Sequence, residues 1–125
     1  MPHRATPSLR DRHILVVEDE FFVAEEMARE LEEAGATIVG PVGTVDDALD
    51  CVASGVRIDA AILDINLRGD LSYPVAEALR QKQVPFLFAT GYDAWSLDPG
   101  FRDVTRCEKP IDPSQVARAL FPVPA

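Results

Sequence analysis

Four short apolar runs, each leading to a charged or hydroxyl-bearing residue, constrain this chain more than any other feature. In an open parallel sheet the carboxyl ends of the strands face one crevice, where ligands bind. If the four runs are strands of such a sheet, the polar residues that follow them meet at that crevice despite their separation in sequence. These residues are Glu18, Asp19, Asp64, Thr90 and Lys109.

Strand and helix patterns alternate along the rest of the chain, which is typical of a doubly wound α/β domain. The predicted strands are 13–17, 36–39, 58–63, 84–89 and 103–107. The predicted helices are 20–34, 44–54, 73–83 and one that runs from an Asp112 cap to about residue 121. Residues 65–72 are predicted to form a loop, and residues 92–101 a short loose helix or a loop.

Length and composition indicate one acidic domain. The 125 residues suit a single core, predicted over 13–121, with a flexible segment at 1–12, a tail at 122–125 and no output domain. A net charge of −9 argues against non-specific nucleic-acid binding. No apolar run approaches the ~20 residues of a membrane span, and no secretory signal precedes the first strand. The expected compartment is the cytoplasm, with both cysteines reduced.

Carboxylates beside one lysine and one hydroxyl suit a divalent cation and a phosphoryl group. Asp64 is the candidate nucleophile, since a carboxylate that attacks a phosphoryl group forms an acyl phosphate. Glu18, Asp19 and Asp64 offer the hard oxygen ligands that Mg²⁺ prefers. Lys109 would neutralise phosphoryl oxygens, and the Thr90 hydroxyl would bond one of them. Taken singly, each of these residues also has an ordinary structural explanation; Glu18 and Asp19, for example, could simply lie at a solvated helix start.

In their order and spacing, four segments resemble the receiver domains of two-component response regulators. They are Val-Val-Glu-Asp-Glu at 16–20, Leu-Asp-Ile-Asn-Leu at 63–67, Phe-Ala-Thr-Gly-Tyr at 88–92 and Glu-Lys-Pro at 108–110. The resemblance implies a flavodoxin-like (β/α)5 fold with strand order 2-1-3-4-5. The third segment is also similar to a single-domain α-proteobacterial subfamily with a Phe-Ala-Thr-Gly-x-Tyr motif, although here Tyr92 follows Gly91 directly.

The resemblance also implies a function. Asp64 would accept a phosphoryl group from a sensor histidine kinase or a histidine phosphotransfer protein, with Mg²⁺ held by Glu18, Asp19, Asp64 and the backbone carbonyl of Asn66. The Lys109–Pro110 peptide bond would be cis. Such a chain would be a monomer or weak dimer that signals to an unknown protein by contact. It would catalyse only its own phosphorylation and dephosphorylation, so it would be no enzyme with an external substrate.

Three positions depart from the family pattern. Glu18 stands where aspartate is common, Arg68 replaces a proline four residues after the phosphoacceptor, and Cys107 replaces an aromatic switch residue two before the lysine. The coupling in which that aromatic turns inward cannot operate with a cysteine. We expect Tyr92 or Trp95 to substitute for it, and Tyr92, Trp95 and Phe101 to form a switch or partner surface.

Two alternatives belong to other functional classes. A phosphorylation-independent interaction module could keep the fold, and Cys107 gives it some support while the complete acidic site argues against it. An aspartate-nucleophile phosphohydrolase of the haloacid dehalogenase type would need a second acid two residues after Asp64. That position is Asn66.

Overall fold

The computed structural model describes residues 6–91 and 98–123. The strands are β1 (His13–Val17), β2 (Thr37–Val42), β3 (Ala60–Asp64), β4 (Asn66–Leu67), β5 (Asp70–Leu71), β6 (Phe86–Thr90) and β7 (Arg106–Glu108). The helices are α1 (Phe21–Glu33), α2 (Val45–Ala53), α3 (Tyr73–Gln81) and α4 (Pro113–Leu120), with a 3-10 helix at Pro99–Phe101. Among the described residues, no helix is long and apolar enough to cross a membrane.

A five-stranded parallel sheet in the order β2-β1-β3-β6-β7 forms the centre of the fold. Without the separate two-stranded β4–β5 hairpin, this is the predicted flavodoxin-like order 2-1-3-4-5. The fold class predicted from the alternating pattern and from the resemblance is therefore confirmed.

The core lies on both faces of this sheet. Ile14 and Val16 of β1 face the cluster formed with α1 and α4, whereas Leu15 and Val17 face the cluster formed with α2 and α3. Successive side chains of a strand point to opposite faces, so a strand covered on both sides must be apolar throughout. This explains why the apolar runs could be recognised as strands.

Side-chain caps fix the starts of two helices where the sequence predicted them. The Thr44 hydroxyl accepts a hydrogen bond of 3.1 Å from the backbone N–H of Asp47 and caps α2. The Asp112 carboxylate accepts one of 2.9 Å from the N–H of Ser114, ahead of α4, with Pro113 in the first turn. Each cap satisfies an N–H that the helix itself leaves without a partner.

Several element boundaries differ from the prediction. β2 continues to Val42 through a cis Gly40–Pro41 peptide bond. β7 begins at Arg106 rather than at residue 103, because Val104 closes a turn on the carbonyl of Phe101 with a 3.1 Å hydrogen bond. The predicted loop at 65–72 contains the β4–β5 hairpin.

The packed part of the chain also begins before His13. Leu9 is 2% exposed and belongs to the core cluster on the α1 and α4 side. Asp11 donates its N–H to the carbonyl of Gly35, and Thr37 donates to that of Arg12, at 3.0 and 2.8 Å. The structure thus packs residues 9–12 against the domain, and the predicted flexibility of 1–12 stays a prediction for the residues before Leu9.

Candidate functional site

The residues predicted to meet at one crevice lie at one edge of the sheet. Asp64 is the last residue of β3 and Thr90 the last of β6, while Glu18 and Lys109 directly follow β1 and β7. An open cavity of about 690 Å³ lies at this edge, and its walls include Asp19, Glu20, Asp64, Asn66, Thr90 and Lys109. The parallel sheet thus brings together groups that are up to 91 residues apart in sequence.

Lys109 lies between two carboxylates. Its Nζ donates a hydrogen bond of 2.8 Å to Oδ2 of Asp64 and a second one to Oε1 of Glu18. The lysine side chain is only partly exposed, and that of Glu18 is fully buried. The ammonium group is therefore the nearest neutralising charge for this pair of acids.

Burial changes the protonation of this group of side chains. It raises the pKa of Glu18 to about 7, and the nearby Asp64 carboxylate adds to the shift while the hydrogen bond from Lys109 opposes it. Burial alone would lower the pKa of Lys109, but its hydrogen bonds to Asp64 and Glu18 outweigh that effect and raise the pKa. Lys109 is therefore a cation at neutral pH, whereas Glu18 near pH 7 exchanges between two protonation states.

Three carboxylates form the part of the site that could hold a metal ion. Glu18, Asp19 and Asp64 each offer an oxygen within 4.8 Å of the others. Hard oxygen ligands with room for water suit Mg²⁺, and the cavity beside Asp19 and Asp64 supplies that room. Asn66 lines the same cavity, and the predicted role of its backbone carbonyl remains a prediction.

Thr90 is buried at the wall of the cavity. Its hydroxyl donates a long hydrogen bond of 3.5 Å to the carbonyl of Cys107, and its own carbonyl accepts the N–H of Lys109 at 3.0 Å. The Lys109–Pro110 peptide bond is cis, as the resemblance implied. A weakly bonded hydroxyl at this position is free to exchange its partner for an anionic oxygen in the cavity.

The site adjoins an aromatic cluster, which the sequence did not reveal. Tyr73 lines the cavity, and its ring stacks on Phe101 at a centroid distance of 4.9 Å. The Tyr73 hydroxyl accepts the backbone N–H of Asp98 at 2.9 Å. Phe101 also packs edge-on against Phe88, and the Arg80 guanidinium lies 4.4 Å above its ring. The sequence showed Tyr73 only as the start of a helix.

This cluster covers one residue of the predicted switch or partner surface. Phe101 is 8% exposed, because Tyr73, Phe88 and Arg80 cover its ring, so it is not an exposed partner residue, and its role as a switch residue stays a prediction. Tyr92 and Trp95 lie outside the described residues, and their proposed role stays a prediction. Cys107 is fully buried, and burial together with the Asp112 carboxylate raises the pKa of its thiol.

Comparison with solved structures identifies the class of protein. The chain belongs to the receiver domains of response regulators, which are signalling modules. No family model and no curated protein matches the chain. The resemblance recognised from the four sequence segments is confirmed.

Among the solved structures that match this chain is the single-domain protein SdrG. The chain is 46% identical to SdrG from Sphingomonas melonis Fr1, over 90% of this chain and 95% of that one, with a TM-score of 0.76. The BeF3-activated conformation of SdrG from Pseudomonas melonis Fr1 matches with 46% identity, 89% and 96% coverage and a TM-score of 0.73. A response regulator receiver protein from Sinorhizobium medicae WSM419 matches with 26% identity, 90% and 94% coverage and a TM-score of 0.74.

Proposed function

We propose that this chain is a stand-alone receiver that accepts a phosphoryl group on Asp64 in a Mg²⁺-dependent reaction and passes the signal on by protein contact. One observation carries the proposal. Lys109 bridges Asp64 and Glu18 beside Asp19, at the wall of a cavity that opens to solvent. A structural ion pair has no need of an open cavity or of a third carboxylate, but a phosphoryl-accepting site needs both.

The residues take distinct parts in the proposed transfer. A carboxylate oxygen of Asp64 forms a bond to phosphorus as the bond from phosphorus to the donor's imidazole nitrogen breaks and leaves its electron pair on that nitrogen. Phosphoryl transfer depends mainly on positioning and on neutralising the phosphoryl oxygens. Lys109 supplies one positive charge, and the Thr90 hydroxyl can donate a hydrogen bond to a phosphoryl oxygen.

The three carboxylates would hold Mg²⁺, which when bound would supply the remaining positive charge that neutralises the phosphoryl oxygens. Asp19 and Asp64 would be its direct protein ligands, and Glu18 would reach it directly or through water. The carbonyl of Asn66 would complete the protein share of the ligands.

The proposed partners follow from the chemistry and from the surface. A histidine kinase or a histidine phosphotransfer protein would supply the phosphoryl group. Phe21 and Phe22 are 66% and 83% exposed at the start of α1, directly after the acids of the site. Exposed aromatic residues this close in sequence to the acids of the site favour a protein donor, because aromatic side chains are enriched in protein interfaces. The net charge of −9 disfavours a nucleic-acid partner, and we propose a cytoplasmic monomer or weak dimer.

A second candidate function is a phosphorylation-independent interaction module. Cys107 favours it, since this fully buried cysteine occupies the position of the family's aromatic switch. The two functions differ in whether binding of a partner depends on Asp64.

Beryllofluoride, which mimics an acyl phosphate, tests the proposal. We expect Mg²⁺ followed by beryllofluoride to shift the amide resonances around the site saturably in the wild-type chain and not in Asp64→Asn. Acetyl phosphate should add the mass of one phosphoryl group to the wild-type chain alone. If neither reagent modifies the wild-type chain, the interaction module becomes the better description.

A further inference from the structure

Arg68, which replaces the family's proline, lies at the tip of the β4–β5 hairpin. Asn66 pairs with Leu71 and Leu67 with Asp70, so that Arg68 and Gly69 form a two-residue turn. Both turn residues have positive φ, 53° and 93°, as the tight turns that suit twisted hairpins require. A residue other than glycine is uncommon at such a φ, so the turn itself does not favour an arginine.

Hydrogen bonds fix this hairpin to the phosphoacceptor. Oδ1 of Asp64 accepts the N–H of Asn66 at 3.2 Å, and Oδ1 of Asn66 accepts the N–H of Gly69 at 2.6 Å. The backbone of Arg68 is thereby held at a defined place at the mouth of the cavity, whose walls include both turn residues.

The side chain of Arg68 reaches back to the metal-binding acids. Its Nε lies 3.5 Å from Oδ2 of Asp19. The Asp19 side chain is mostly buried, whereas that of Arg68 is 81% exposed. The three clustered acids are therefore divided between two cations, with Lys109 on Glu18 and Asp64 and Arg68 on Asp19.

We propose that Arg68 is a tethered cation that competes with Mg²⁺ for Asp19 and so sets the concentration at which the site fills. The inference rests on the proposed function, in which Asp19 is a direct ligand of the ion. A guanidinium at this distance repels a divalent cation that approaches the same oxygen. Because the side chain is exposed, it can swing into solvent when the ion arrives, and the competition is reversible.

The size of the effect follows from the exposure of the pair. Exposed ion pairs typically contribute about 0.2 to 1 kcal/mol, and every 1.4 kcal/mol changes an affinity tenfold. Removal of the Arg68 charge should therefore tighten Mg²⁺ binding by about 1.4- to fivefold.

The test measures the Kd of MgCl2 by calorimetry and by the amide shift of Val17 in the phosphate-free protein. Arg68→Asn and Arg68→Gly remove the charge and suit a positive φ, so that the turn is preserved. Arg68→Lys keeps a cation at the tip. Arg118→Ala is the matched control, because it removes one positive charge from the exposed last turn of α4.

We expect a lower Kd in Arg68→Asn and Arg68→Gly, and a Kd near the wild-type value in Arg68→Lys and Arg118→Ala. A Kd in the two neutral variants equal to that of Arg118→Ala, or higher than the wild-type value, would overturn the inference and leave the proposed function intact. If the wild-type chain binds no Mg²⁺, the proposed function itself fails, and the two failures are thereby distinguished.

Discussion

Glu18 is the residue at which the requirements of the site and of the fold conflict. Its side chain is fully buried at the end of β1, and it shares Lys109 with Asp64. A buried carboxylate gains little from such a shared cation, because its own desolvation is expensive. The raised pKa of Glu18, about 7, records this cost. A metal ion bound at the three carboxylates would offset the cost of burying the charged form of Glu18.

The raised pKa of Glu18 predicts how the stability of the ion-free protein depends on pH. The folded value of about 7 exceeds the ordinary value of 4.5, so the folded state binds more protons than the unfolded state between them. The free energy of unfolding should therefore fall as pH rises through this window. Urea unfolding in EDTA at several pH values measures it.

Glu18→Gln is the matched variant, because it keeps the size of the side chain and cannot titrate. We expect its stability to be flatter with pH than that of the wild-type chain, and higher at about pH 8. Equal slopes in the two proteins would show that burial of Glu18 does not cause the dependence.

Among the helices and strands, those marked by an apolar run, a periodic apolar pattern or a helix cap were predictable from the sequence. The central strands β1, β3 and β6 are apolar runs because both of their faces are covered, whereas the edge strands β2 and β7 are partly exposed and give a weaker pattern. The predicted caps have their side-chain bonds in α2 and α4. The β4–β5 hairpin was not predicted, since two strands of two residues are too short for any period. The packing of Leu9 was also missed, because a single apolar residue among polar neighbours carries no periodic signal.

The segment before β1 provides a stability prediction. Leu9→Ala should lower the free energy of unfolding by about 2–4 kcal/mol, because it removes buried methyl groups and leaves a cavity beside α1 and α4. Chemical denaturation of the full chain measures the difference. Val56→Ala is the control, since Val56 is an exposed apolar residue. Equal midpoints for the two variants would mean that Leu9 does not belong to the core.

At the scale of the whole molecule, the doubly wound topology made the site predictable. Every parallel strand ends at the same edge, so residues at strand ends could be placed together without knowledge of any contact. The contacts between loops and helices could not be predicted this way. The ion pair between Arg68 and Asp19 and the stacking of Tyr73 on Phe101 depend on how separate connections pack, which no local pattern records.

The same topology places an exposed aromatic pair directly after the acids that follow β1. α1 begins at Phe21, directly after the acids that follow β1, and the rings of Phe21 and Phe22 contact each other edge-on at 5.5 Å. Glu20, the residue before them, lines the cavity that contains Asp64. We expect a protein donor that reaches Asp64 to contact this pair as well, whereas a small phosphodonor needs only the cavity.

This difference predicts that Phe21→Ala and Phe22→Ala separate the two kinds of donor. The protein donor is an autophosphorylated histidine kinase that phosphorylates the wild-type chain. We expect its rate of transfer to the variants to fall about fivefold or more, because loss of a contact worth over about 1 kcal/mol has an effect of that size. The rate with acetyl phosphate should stay within twofold or so of the wild-type rate. Val56→Ala, which truncates an exposed apolar residue elsewhere, should leave both rates unchanged. Equal losses with both donors would instead mean that the aromatic pair maintains the site, and unchanged rates with both would place the docking surface on another face.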